Sequence, residues 1–508
     1  MSLRKQILMS IGSNWVNNII TAAVRFLLIP VVLGILGETA YGVWALLAYG
    51  LAYPSILDSS FTLATNRFVA YYRKDPVQFN RFIASSFAIM AALAMLVMAA
   101  AVALSFFVST IFSSSIPAEL AGQAQITCIL VGAMLSLKML ESSFSGALQG
   151  CLYYTFYNTV IVIGNILRAV FVIALLVFWR NIVVLQLGYV LAGFVTLIGM
   201  YFAARRSIEG LRLDLRLITK ASLKELTGYA VHSLARTGSL GIMYTTMTLL
   251  VGWAGTAADV TIYNIASMIP TFIRGQLVTA QNVLLPATTS LYAAGRLERV
   301  NNLVKRGTKL CGVLACAGSI ILVIFAPDIL EFWLRRPVQQ EMVLVTRVLV
   351  LSVIIRGFFG IWLPVLVGLE HLAWLSVMCI TICVSGIALS LILVMQGIFT
   401  PAMAPAVAQA VVLFLCWGIW LPAYGLYKSG MRVYDYLRDG LFPPILATLI
   451  SITTLWLFNI LLPIKNVHWA VMLVVYTAIV TAIFAVVAVR SDMAELFAAF
   501  RQKPVAQE

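Results

Sequence analysis

Arg25, Arg168, Arg236, Arg274 and Arg356 each sit well inside a long apolar stretch, and Lys138 sits inside another. A guanidinium is planar, permanently charged and carries paired donors that match the oxygens of a phosphate or carboxylate. A charge at the centre of a membrane helix costs roughly 2.5–3.5 kcal/mol on insertion scales. Five arginines facing lipid would cost on the order of 15 kcal/mol. Their presence implies a hydrated, cationic cavity, and such a cavity implies an anionic cargo.

The surrounding residues sharpen that reading. Deep in the apolar stretches stand two acids, Asp58 and Glu141, against eight basic residues. Arg67 and Arg347 are close enough to stretch ends to snorkel. Lys138 and Glu141, three residues apart, are expected to form a local pair. Five arginines then face one acid, Asp58, which reads either as their counter-ion or as a proton or sodium coupling site. Polar stripes accompany the charges. Asn14, Asn18, Thr21 and Arg25 share one helical face, as do Asn264, Ser267, Thr271 and Arg274. Two further stripes run through Ser55, Asp58 and Thr62, and through His232, Arg236 and Ser239. Small polar residues also bond helices to one another, so the uncharged members carry both readings. The candidate ligand-contacting set is Arg25, Arg168, Arg236, Arg274, Arg356, Lys138, Asn18 and Asn264.

The elements that position these residues are membrane helices. Of 508 residues, 62% are hydrophobic and 10% charged, whereas soluble domains run near roughly 25% charged. Fourteen windows are long enough to span a bilayer as helices of about 20 residues. They lie at 11–36, 41–66, 82–108, 122–148, 158–178, 183–203, 227–253, 260–285, 308–329, 343–368, 373–395, 401–424, 442–462 and 469–490. With the N-terminus inside, 22 Lys and Arg residues fall on the cytoplasmic side and 4 on the other, a strong positive-inside bias. The even span count puts both termini in the cytoplasm. The net charge of +15 then reflects topology and contact with anionic membrane lipids, not nucleic acid. The basic start, Met1–Lys5, leads into the first span as a retained helix, not a cleaved signal.

Several chemistries find no support in the residues. The seven cysteines lie in or at the ends of spans, and the three histidines are scattered, which gives neither a disulfide framework nor a metal site. No nucleotide loop, zinc motif or hydrolase elbow is present. We therefore expect no cofactor and no enzymatic activity. A membrane polymerase or ligase would need a large outward loop, and the longest outward segments, near 109–121 and 330–342, are short.

The chain reads as duplicated at an offset of about 220 residues. Gly37-Glu38-Thr39-Ala40 meets Gly255-Thr256-Ala257-Ala258, and Ala147-Leu148-Gln149-Gly150 meets Val367-Gly368-Leu369-Glu370. The expected fold is all-α, with two pseudo-symmetric six-helix lobes around a central cavity plus two C-terminal helices. The lobes are 1–203 and 227–424, joined by a basic cytoplasmic connector at 204–226. An additional helix pair at 425–490 and a cytoplasmic tail at 491–508 follow. Leu211, Leu215, Ile218 and Leu223 alternate with charges in the connector, as in a surface amphipathic helix; a solvated linker is the other reading.

Arg25-Phe-Leu-Leu-Ile-Pro30, Leu36-Gly37-Glu38, Tyr41-Gly42-Val43-Trp44-Ala45-Leu46 and Leu57-Asp58 together resemble the N-terminal signature of Wzx-type polysaccharide flippases. These belong to the multidrug/oligosaccharidyl-lipid/polysaccharide exporter superfamily. The resemblance is specific over residues 10–75 and architectural beyond; Ser59-Ser60 departs from the glycine many relatives carry there. It implies transfer of a polyprenyl-diphosphate-linked glycan, such as an O-antigen or exopolysaccharide unit, to the outer leaflet of a bacterial inner membrane. The partners it implies are that glycan lipid, membrane lipids, a coupling proton or sodium ion, and other polysaccharide assembly proteins. A peptidoglycan-precursor flippase shares the diphosphate cargo. A multidrug exporter, whose cargo is cationic, calls for an acid-rich cavity instead.

Overall fold

The computed structural model describes residues 3–234, 238–461 and 469–489, and every regular element in them is helical. Among the described residues, eleven helices are long and apolar enough to cross a bilayer. The first of them, Val16–Tyr71, covers most of the window at 11–36 and all of that at 41–66. The windows at 227–253 and 260–285 fall largely on Ser239–Ala254 and Ala257–Asn282. The chain is an all-α integral membrane protein.

Breaks appear that hydropathy does not reveal. Helix α1 (Leu3–Gly50) continues through Pro30 but turns at Gly37, whose φ of 79° is a left-handed conformation open to glycine. The window at 41–66 is interrupted at 51–53, and α2 (Pro54–Tyr71) restarts with Pro54 in its first turn. Proline lacks a backbone N–H, and a first-turn N–H would have no helical partner in any case, so Pro54 opens a helix instead of bending one.

Two compact units emerge, Met1–Asn264 with Cys379–Pro405, and Ile265–Met378 with Ala406–Glu508. The first contains α1, α2, α3 (Pro76–Ser105), the single-turn α4 (Val108–Ile111), α5 (Ala121–Gly150), α6 (Tyr154–Phe178), α7 (Ile182–Ser207), α8 (Lys220–Ser233), α9 (Ser239–Ala254) and the start of α10 (Ala257–Asn282). Within it α5 packs on α2, α3 and α7, while α6 lies between α1 and α7. Val69, Phe79, Phe144 and Met200 form one core, and Phe61, Phe82, Met90 and Met139 another. Gly164 lets α6 approach the Thr196 hydroxyl on α7 so closely that a Cβ there would displace it.

The 204–226 connector is pinned to α3. Asn80 donates to the Gly210 carbonyl at 2.9 Å and accepts from the Arg212 N–H at 2.8 Å. Ser85 meets Ser222 at 2.7 Å. Between these clips the chain makes one tight turn, Leu215–Leu217, capped by Asp214, before Thr219 and Ser222 start α8 with a capping box. The backbone groups held by Asn80 and Asp214 are the ones an amphipathic helix over 211–218 would need.

The second unit contains the rest of α10, then α11 (Leu284–Ala293), α12 (Leu297–Ile324), α13 (Ala326–Leu334), α14 (Gln340–Phe359) and α15 (Trp362–Gly368). The start of α16 (Leu372–Met395), most of α17 (Met403–Leu413), α18 (Leu421–Ser429), α19 (Val433–Tyr436), α20 (Phe442–Leu461) and α21 (Trp469–Phe484) complete it. Here α12 packs on α14 and α20, and Lys305 pairs with Asp439 at 3.1 Å.

Candidate functional site

A cavity of about 500 Å³ lies within the first unit, walled by α1, α2, α5, α6 and α7. Its charged lining is Arg25 on α1, Asp58 on α2, Lys138 and Glu141 on α5, and Arg168 on α6. Helix register explains why these five meet. Asn158 on α6 donates to Asn14 at 2.7 Å, and Asn165 donates to Thr21 at 2.8 Å, both across an offset of 144 residues. So α1 and α6 run side by side in one direction, and the same offset carries Arg25 to the position next to Arg168. The two arginines are level on neighbouring helices.

The acids are positioned by a second helix pair. Gly146 approaches Thr62 and Thr65, and Gly150 approaches Asn66 and Val69, which sets α2 parallel to α5 and brings Asp58 level with Lys138–Ser142. Asp58 is only 7% exposed; it faces Lys138 and Ser142, and its Oδ1 has no hydrogen-bond partner. Glu141 accepts from the Ser145 hydroxyl at 3.2 Å and has Asp58, Lys138 and Arg168 as electrostatic neighbours. The expected Lys138–Glu141 pair does not form, since no N···O contact within 4.0 Å joins them. Glu141 turns instead toward Ser145, one turn further along α5. Three bases face two acids, and none of the five makes an ion pair within that distance among the described residues. With all five ionised the cavity carries one excess positive charge.

An aromatic wall closes the arginine side. The Arg168 guanidinium lies 5.2 Å from the Tyr189 ring centroid, a cation–π distance. Trp44 packs against Tyr41, Tyr49 and Tyr189 at 5.4–5.6 Å and donates its indole N–H to Gln186 at 2.9 Å. The Tyr41 hydroxyl and the Arg168 Nε are buried without hydrogen-bond partners. A buried donor without an acceptor is costly, so both suit a ligand that brings acceptors.

The candidate residues thus separate into groups. Arg25, Arg168, Lys138 and Asp58 come together in this cavity. Asn18 is exposed on α1 and Asn264 is buried, donating to the Val260 carbonyl at 2.9 Å; neither is among the lining residues. Arg274 and Arg356 belong to the second unit. Arg356 is buried there, 4.7 Å from the Trp417 ring, and its carbonyl accepts from Gln281 at 2.9 Å. Arg236 lies outside the described residues. Of the α1 stripe, Asn14 and Thr21 bond to α6, with Ser13 and Asn17 joining through Asn158, so this part of the stripe holds helices together. Sequence reasoning passed over Asn158 and Asn165. Asn158 and Asn165 are seven residues apart, as are Asn14 and Thr21, and each pair shortly precedes an arginine; this was the available signal.

No protein-family model matches the sequence, and no curated protein matches it. Solved structures do. The lipid II flippase MurJ in an inward closed conformation shares 13% identity at a TM-score of 0.72, over 96% of this chain and 100% of that one. An inward-facing multidrug resistance MATE family transporter of the MOP superfamily shares 14% at 0.69, over 82% and 100%. The fold is that of MOP-superfamily transporters. A third relative in fold, a MOP superfamily transporter from Pyrococcus furiosus, has a TM-score of 0.57 at 13% identity over 85% and 95%. Its reported reversal of binding-pocket polarity is taken to suggest a different function for that protein.

Proposed function

We propose that this chain is a flippase that moves a polyprenyl-diphosphate-linked oligosaccharide from the inner to the outer leaflet of a bacterial inner membrane, with both termini in the cytoplasm. The observation that carries this reading is the level pair Arg25 and Arg168, which face a net-positive cavity and are bound to no acid. A diphosphate offers two adjacent anionic groups, and two forked donors at one level match them. Lys138 adds a third positive charge on the α5 side. At about 500 Å³ the cavity falls in the range of roughly 300–1,000 Å³ typical of small-ligand sites, so it takes a headgroup and leaves the polyprenyl chain in lipid. Each net negative charge moved outward gains about 2.3 kcal/mol per 100 mV of an inside-negative potential, which contributes to the driving force for export.

A peptidoglycan-precursor cargo is the second reading, supported by the fold shared with MurJ over nearly the whole chain. A cationic drug is disfavoured by the excess positive charge. The test is transport in proteoliposomes of a polyprenyl-diphosphate oligosaccharide beside a peptide-bearing precursor. Preferential transport of the first supports the proposal, and preference for the second selects the alternative.

A further inference from the structure

The cavity is polarised along its helices, and that polarity has a use beyond anion binding. Arg168 lies about four turns after the start of α6, whereas Glu141 lies about two and a half turns before the end of α5. These helices are joined by the short turn at 151–153, so the acids sit about 8 Å closer to that turn than the arginines do. The acid end also holds Ser145, Gln149 and Tyr157, and Tyr157 has both Glu141 and Asp58 as electrostatic neighbours. The arginine end holds Tyr41 and Tyr189, whose electrostatic neighbours include Arg25.

The two carboxyl groups have unused acceptor capacity. An ionised carboxylate accepts about four hydrogen bonds. Glu141 accepts one, at 3.2 Å from the Ser145 hydroxyl, and the buried Asp58 Oδ1 accepts none. A cation is disfavoured at these open acceptor positions, because Lys138, Arg25 and Arg168 leave the cavity net positive. Neutral O–H and N–H groups fit, and they must be presented about one ring's width from whatever anion the arginines hold.

We propose that Asp58 and Glu141, with Gln149 and Tyr157 beside them, form a sugar-reading subsite that accepts hydroxyl and amide hydrogens from the glycan residue attached to the diphosphate. This rests on the flippase reading and deepens it. Asp58 and Glu141 act here as specificity residues, not as an ion-coupling site. The subsite reads the first sugar only, since the arginines fix the diphosphate and the acids lie one ring away.

The test compares two probes in proteoliposomes, undecaprenyl diphosphate and undecaprenyl diphosphate bearing one N-acetylhexosamine. The intact protein is expected to favour the sugar-bearing probe at least tenfold, and Glu141→Gln and Asp58→Asn each to lower that ratio about tenfold, the size expected for a hydrogen bond to a charged group. Thermal melting of each variant separates misfolding from loss of selectivity. An unchanged ratio in both folded variants overturns the inference. So does a parallel fall in both rates together with an altered pH or sodium dependence, which assigns the acids to coupling. If Arg25→Ala and Arg168→Ala leave both rates untouched, the flippase reading itself fails, a result distinct from either of these.

Discussion

If Arg25 and Arg168 hold one diphosphate, their contributions to binding must be coupled. Removing Arg168 deletes charge-assisted hydrogen bonds, each contributing a net of about 1.5–3 kcal/mol, or roughly 10- to 150-fold in affinity. Its guanidinium rests 5.2 Å from the Tyr189 ring. That contact stabilises it by on the order of 0.5–2 kcal/mol and holds it without an acid partner. Arg25 is more exposed, so its loss belongs at the lower end, near tenfold. Because the 144-residue offset places the two side chains level, the double variant Arg25→Ala/Arg168→Ala should lose less than the product of the single losses. The coupling expected for groups sharing a partner is about 0.5–3 kcal/mol. Equilibrium binding of undecaprenyl diphosphate to the purified protein in detergent, by titration calorimetry on the four proteins, measures it. Losses that multiply without coupling would mean that the arginines serve separate sites, and the register reasoning would be wrong.

Other outcomes follow from the packing. Asn158 is buried and joins Ser13, Asn14 and Asn17; Asn158→Ala should destabilise the protein by about 2 kcal/mol, at roughly 0.6 kcal/mol per intramembrane bond, seen as a lower melting temperature. Asn80→Ala should release the connector, and faster tryptic cleavage at Arg212 and Arg216 would report it. His371, in the turn before α16 and 3.4 Å from the Tyr424 hydroxyl, has its pKa lowered by burial and by Lys428. The folded protein therefore binds that proton less well than the unfolded chain, and the contribution to stability is complete above about pH 6.5 and declines as pH falls below it. His371→Gln should flatten the fall in melting temperature over that window; an unchanged slope would assign the pH dependence elsewhere.

Much of the fold was legible because bilayer physics writes plainly in sequence: long apolar stretches and charge-poor helices leave few alternatives. Gly37 and the interruption at 51–53 were not legible, since a break between two apolar segments leaves hydropathy unchanged. Buried charge singled out Arg25, Lys138, Arg168 and Asp58, which line one cavity. It did not tell which arginines share a cavity, because that depends on helix register. Arg356 illustrates the gap, being as deeply placed in sequence as Arg168 yet packed on Trp417 in the second unit. Glu141 was discounted on i,i+3 spacing to Lys138, whereas Ser145 on the next turn takes its carboxylate. The aromatic wall of Tyr41, Trp44 and Tyr189 was hidden because aromatics in a membrane helix are ordinarily packing residues.

The central claim is that the arginine pair seats a lipid diphosphate for transfer between leaflets. Its most direct test is flipping of a polyprenyl-diphosphate oligosaccharide in proteoliposomes by the intact protein and by Arg25→Ala/Arg168→Ala, with folding checked by melting. The account predicts transport by the intact protein and at least a tenfold loss in the folded double variant. Undiminished flipping by that variant, or none by the intact protein, would contradict it.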